Sequence, residues 1–181
     1  LFRLSASSYR DSFILKGAML FRLWSGSEFR PTRDLDLLGF VDREIATLHS
    51  AFAAICVENV EDDGLMFDAG TIRIEEIREQ QEYGGLRVSL LARLGPARVP
   101  MQIDVGFGDV VTPAATHEEF PCLLDHARPR VRAYPRETVV AEKYEAIVEK
   151  VKLEEEKDTH GADIGQQPSV LEHILSTVNL K

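Results

Sequence analysis

The chain has 181 residues, 44% of them apolar, and carries 21 Lys and Arg against 30 Asp and Glu for a formal net charge of −9. That content supports one ordinary core with room for a small helical appendage, and it argues against a protein that coats nucleic acid non-specifically, which needs clustered cations. No apolar run is long enough to span a bilayer, and the first residues lack the basic start and apolar stretch of a signal peptide, so the cytoplasm is the expected compartment. Cys56, in a helical pattern, and Cys122, beside Pro121, have no metal spacing and read as buried thiols.

In chain order, Tyr9 to Ile14 leads into a short strand ending at Lys16. Gly17 breaks it, and Ala18 to Trp24 reads as a helix closed by Ser25-Gly-Ser27. Arg33 to Val41 is a strand whose alternation sends Asp34 and Asp36 to one side and Leu35 and Leu37 to the other. Strand interiors are depleted in Asp, and two carboxylates so placed repel; a divalent cation that neutralises them is the usual reason to keep such a pair in a cleft. From Asp42, available as N-cap, the apolar residues Ile45, Leu48, Phe52 and Ile55 recur at helical spacing to about Val57. Thr71 to Arg78, Leu86 to Leu94 and Val99 to Phe107, divided by Tyr83-Gly-Gly85 and Gly95-Pro96, read as an antiparallel meander with Asp104 on its last strand.

A Pro-punctuated segment from Pro113 to Pro135 follows. It holds Arg128, Arg130 and Arg132, which share one face if extended and read either as an RNA or triphosphate contact or as a solvated edge. Val140, Tyr144, Ile147, Val148 and Val151 then mark an amphipathic helix of about five turns, Leu153 to Asp158 a solvated face, and Val170 to Val178 a further short helix. The expected division is a domain over residues 1–135, carrying the acids, and a C-terminal helical segment over 136–181 packing on it.

Taken in order, Leu15-Lys-Gly-Ala18, Arg30-Pro-Thr-Arg-Asp-Leu-Asp36, Ile103-Asp-Val-Gly-Phe-Gly-Asp109 and Glu137-Thr-Val-Val-Ala-Glu-Lys143 resemble the AbiEii/AbiGii toxin family of nucleotidyltransferases, relatives of DNA polymerase β. The resemblance runs from Leu1 to about Ile147. It implies an α/β (α+β) fold, a polymerase β-like mixed sheet flanked by helices with further helices at the C-terminal end. It also implies a Mg²⁺- or Mn²⁺-dependent bacterial toxin, paired with an antitoxin or acting in phage defence, that moves a nucleotide from an NTP to an acceptor such as tRNA.

By that resemblance Asp34 and Asp36 hold Mg²⁺ that bridges the NTP phosphates, and Asp104 is either a third ligand or the base that orients the acceptor hydroxyl. Lys16, Gly17 and Ala18 lie where the backbone approaches phosphate, with Lys16 either a triphosphate contact or a snorkelling strand end. Ala18 stands where the family generally has Gly or Ser, so a hydroxyl contact is absent. Thr32 and Arg33 either bind nucleotide or shape the strand entry, and Asp109 either joins the site or bonds backbone amides at its turn. Lys143, on the rim of the apolar helix face, either leans toward bound phosphates or merely solvates, and its match to the family's Ala-Glu-Lys favours the first reading, with Glu142 as a structural or supporting neighbour. The family's closing Arg-x-Lys-Asp-x-x-Asp is represented only by Lys157-Asp158 and Asp163, which makes Asp158 the remaining catalytic candidate. The five histidines have no mutual metal spacing and no Ser sits in a nucleophile elbow, which disfavours a hydrolase. Two rivals stay open: a transferase acting on a protein or small molecule, favoured by the acidic charge, and a degenerate nucleotide-binding or partner-binding module, suggested by Ala18 and the incomplete last motif.

Overall fold

The computed structural model describes residues 1–25, 32, 34–77, 84–122 and 126–160, with the side chains of 149 and 153–160 excepted. Along the chain these form α1 (Phe2–Ala6), β1 (Phe13–Lys16), α2 (Met19–Ser25), β2 (Asp34–Gly39), α3 (Ile45–Cys56), β3 (Leu65–Glu76), β4 (Leu86–Leu94), β5 (Ala97–Phe107), β6 (Thr116–Glu119), β7 (Arg130–Ala133) and α4 (Arg136–His160). All strands join one seven-stranded sheet of order β3-β4-β5-β2-β1-β7-β6. The fold is a mixed α/β one: β3, β4 and β5 form an antiparallel meander, while β5 pairs parallel with β2, and β1 pairs antiparallel with β2 and parallel with β7.

The meander follows from alternation and one turn. On β4, Leu86, Val88, Leu90 and Ala92 are buried while the residues between them are not, so a single apolar face is laid down. Gly95, with φ 57°, occupies the first central position between Leu94 and Ala97, where a two-residue hairpin of the II′ kind takes glycine. Against that face lies α3, whose buried Leu48, Phe52 and Ile55 recur at helical spacing and join one core with Leu37, Val88, Ile103 and Val105. The Phe13 and Phe52 rings meet with centroids 5.6 Å apart. Each fully buried Leu, Val or Phe here contributes about 1.5–3 kcal/mol of transfer free energy, so this layer supplies the rigidity on which the opposite face depends.

Several expectations need correction. The helix expected from Asp42 begins at Ile45 with Glu44 as N-cap and no side-chain cap; the Asp42 carbonyl instead accepts the Glu44 N–H at 2.7 Å. The first strand of the meander starts at Leu65, earlier than Thr71, because a register shift between Asp68 and Arg73 absorbs the Gly-bearing stretch that looks like a break. The Pro-punctuated segment contains β6 and β7, each four residues long and each too short to show a period. Cys56 is buried as expected, whereas Cys122 is exposed, its Sγ lying 3.5 Å from the Ala127 carbonyl.

Backbone contacts separate a unit from Leu1 to Val139 from a second that begins at Val140, so the division falls inside α4. In the described part of that second unit, Val140, Tyr144 and Ile147 are all exposed. Among the described residues no helix is long and apolar enough to cross a membrane. The expected helix over Val170 to Val178 lies outside the described residues.

Candidate active site

Residues in register on neighbouring strands project to the same face, so strand pairing locates the chemistry. Asp36 stands beside Asp104 across the parallel β2 and β5. Lys16 of β1 stands beside Asp36, Arg87 of β4 beside Asp104, and Glu75 of β3 beside Arg87. A charged row of Glu75, Arg87, Asp104, Asp36 and Lys16 therefore crosses the sheet on the face opposite the buried Leu15, Leu37, Val88, Ile103 and Val105. Within this row the step from Asp104 to Asp36 is the one junction of like charges. Asp34 adds a third acid two residues along β2 and is exposed.

Asp36 is the electrostatic focus. Burial, and then the adjacent charge of Asp104, push its carboxyl above the ordinary value; Asp34 adds to this, while Lys16 and a hydrogen bond donated by the Ala18 N–H hold it back. That N–H is aimed at Asp36 by Gly17, which turns the chain from β1 into α2 with φ 70°. A Cβ on Gly17 would overlap the Asp36 carboxylate. The expected partner of this close approach was a phosphate; the neighbour observed is the acid itself, so glycine is required even before any substrate arrives.

Lys16 is anchored rather than extended. Its Nζ lies 2.5 Å from Asp109 Oδ2, which also accepts a hydrogen bond of 2.9 Å from the Tyr134 hydroxyl, and the ammonium sits 5.4 Å from the centre of the Tyr134 ring. Asp109 thus ties the end of β5 to β1 and β7. Tyr134 is 1% exposed, so Tyr134→Phe is expected to cost about 1.5–3 kcal/mol in urea unfolding, the worth of one hydrogen bond to a charged acceptor. A smaller loss would show that Lys16 alone keeps Asp109 in place.

Asp104 is engaged on its other side. Arg87 Nε donates to Asp104 Oδ1 and Nη2 to Oδ2, each at 2.8 Å, a two-pronged ion pair that uses both carboxylate oxygens. Sequence reading missed Arg87 because Leu86-Arg-Val88 looks like any half-exposed strand.

Thr32 shapes the entry to β2: its hydroxyl donates to the Asp34 carbonyl at 3.1 Å and accepts the Asp34 N–H at 3.4 Å. Arg33 lies outside the described residues. Arg130 and Arg132 alternate to one side of β7 with Val131 buried between them, and Arg128 is exposed ahead of the strand. Arg132 is committed within the fold, donating to the Asp11 carbonyl at 2.7 Å with its guanidinium 5.4 Å from the Phe40 ring centre. Lys143 is exposed on α4 in the second unit, and the Asp158 side chain lies outside the described set.

Whether these residues suit a divalent cation turns on Asp36. A half-buried carboxylate facing a second acid carries charge that a hard cation would relieve, and oxygen donors on adjacent strands suit Mg²⁺, which takes one or two carboxylates and completes its shell with water and phosphate. Among the described residues, no three His, Cys, Asp or Glu side chains already converge as a ready-made metal cluster.

An acid pair on one face of a mixed sheet, next to a Gly turn that leads into a helix, is the arrangement expected from the resemblance to nucleotidyltransferases. The chain belongs to the family described as nucleotidyl transferase AbiEii toxin, type IV TA system, which it matches over residues 1–160. No curated protein matches it. Among solved structures, JHP933 from Helicobacter pylori is similar at 14% identity and a TM-score of 0.45 over 78% of this chain and 50% of that one. A second H. pylori chain, assigned provisionally as a nucleotidyltransferase, is similar at 15% identity and a TM-score of 0.44 over 78% of this chain and 51% of that one. The chain spans about half the length of either.

Proposed function

We propose that this chain is a Mg²⁺-dependent nucleotidyltransferase that moves a nucleotide from an NTP to an acceptor, tRNA, as the toxin of a pair held in check by a cognate antitoxin. The observation that carries the reading is the placement of Asp36 beside Asp104 next to the Gly17 turn, within a chain of the AbiEii family. A bound Mg²⁺ would neutralise phosphate charge and stabilise the departing pyrophosphate. Asp36, with Asp34 and Asp104, would hold it. The chain's own residues do the positioning: Gly17 leaves room for the Asp36 carboxylate, the Ala18 N–H fixes that carboxylate, and Asp109 keeps the Lys16 ammonium on the same face. Lys143 is assigned to the triphosphate through the family's Ala-Glu-Lys, and Asp158 to the family's closing motif.

Incubating the purified chain with each radiolabelled NTP and either total tRNA or protein extract tests the reading, with Asp36→Asn as control. Label on tRNA supports it; label on protein shifts the acceptor; tight NTP binding without transfer points to a binding module. The net charge of −9 is the observation that favours the protein acceptor. Because Arg132 is held by Asp11 and Phe40, an RNA contact through this segment rests on Arg128 and Arg130. Changing both to Ala is expected to weaken tRNA binding and to reduce the slope of log affinity against log salt by about one unit per lost phosphate contact. An unaltered slope would make the segment an ordinary solvated edge.

A further inference from the structure

Arg87 holds both oxygens of Asp104, the carboxylate that a cation beside Asp36 would have to share. Arg87 Nε holds Oδ1 and Nη2 holds Oδ2, each at 2.8 Å, so a cation cannot take both oxygens of Asp104 in full while the fork is closed. The pair is only partly shielded, with side chains 40% and 21% exposed, so opening it requires no rupture of the core. A second acceptor stands ready: Glu75 is in register with Arg87 on its other flank and is exposed. From the row Glu75, Arg87, Asp104, Asp36 we infer that Arg87 is a positioning residue that gates the acid pair: it is the resident counter-cation of Asp104, it yields that carboxylate when a divalent ion arrives, and the released fork then serves the substrate's phosphates. The inference rests on the proposed cation site.

The chemistry favours this exchange over a fixed structural pair. A planar guanidinium matches a phosphate's two oxygens as well as it matches a carboxylate's, so one residue can hold either without refolding. A closed fork also keeps two adjacent acids from facing each other uncompensated before substrate binds, which a purely apolar neighbour would not do. Metal and nucleotide binding then become linked: the cation frees the arginine that the triphosphate needs.

The test uses the full chain, Mn²⁺ titrated alone and followed by the electron paramagnetic resonance of the free ion, and then inorganic triphosphate added in the presence of Mn²⁺. Arg87→Ala is expected to bind Mn²⁺ alone roughly threefold to fivefold more tightly, since a competing ion pair of this exposure is gone, and to bind triphosphate more weakly by a similar factor. Arg87→Lys, which keeps a charge without the fork, should fall between and carries the same comparison if the alanine variant folds poorly. Unchanged or weaker Mn²⁺ binding in Arg87→Ala, with Asp36→Asn still abolishing it, overturns the gate and leaves the cation site standing. Mn²⁺ binding that is absent in the native chain or indifferent to Asp36→Asn overturns the gate together with the site beneath it.

Discussion

Gly17→Ala is expected to leave a folded chain that no longer transfers nucleotide. An L side chain at φ 70° costs about 1–2 kcal/mol in backbone strain. The larger effect is geometric: the new Cβ would fall on the Asp36 carboxylate, so either the turn or the acid must move. A displacement near 1 Å at a reacting centre lowers rates by about a hundredfold, and Asp36 has no slack, since its own N–H donor, Ala18, belongs to the same turn. Urea unfolding measures the first effect and incorporation of labelled nucleotide the second. A Gly17→Ala variant with native incorporation would show that Asp36 does not depend on the turn.

The other large effect is expected from Asp36→Asn, and it has opposite signs for stability and for activity. The native carboxyl titrates above the ordinary range because of burial and Asp104, so in that interval the folded chain binds more protons than the unfolded one. Its contribution to stability is therefore present below the unfolded value and is lost as pH rises through the folded value. The Asn variant keeps an acceptor for the Ala18 N–H and lacks that loss, so at neutral pH without cation it should unfold at a temperature equal to or above that of the native chain. The advantage should vanish in acid. Added Mg²⁺ with NTP should stabilise only the native chain, and transfer by the variant should drop by at least about a hundredfold, as when a charge-stabilising group is removed. An Asn variant less stable at neutral pH than in acid, relative to the native chain, would sink the electrostatic account.

Much of this was legible locally. Asp34 and Asp36 show their common face through period-two alternation with Leu35 and Leu37, and the meander announces itself through Gly95-Pro96 and three β-rich runs. What could not be read is non-local. Nothing between residues 36 and 104 states that β2 and β5 pair in parallel with those two acids abreast, because that register is set by the packing of the opposite face on α3. Arg87 and Tyr134 went unnoticed for the same reason: each looks ordinary beside its sequence neighbours, and only strand pairing brings one to Asp104 and the other to Asp109. Helix α1, five residues long, offers too few positions for any periodicity.

The central parallel pair has a consequence for how the molecule is made. Strand β2 leaves the ribosome well before β5, and its acids acquire their neighbour only after Ala97–Phe107 has been synthesised and inserted between β2 and β4. Joining segments so distant along the chain is slow compared with helix or hairpin formation. A nascent or prematurely terminated chain ending before β5 thus carries Asp34 and Asp36 without Asp104 beside Asp36. In a family of toxins, this timing would leave incomplete products harmless to the cell that translates them, since the acid pair comes into being only when β5 is in place.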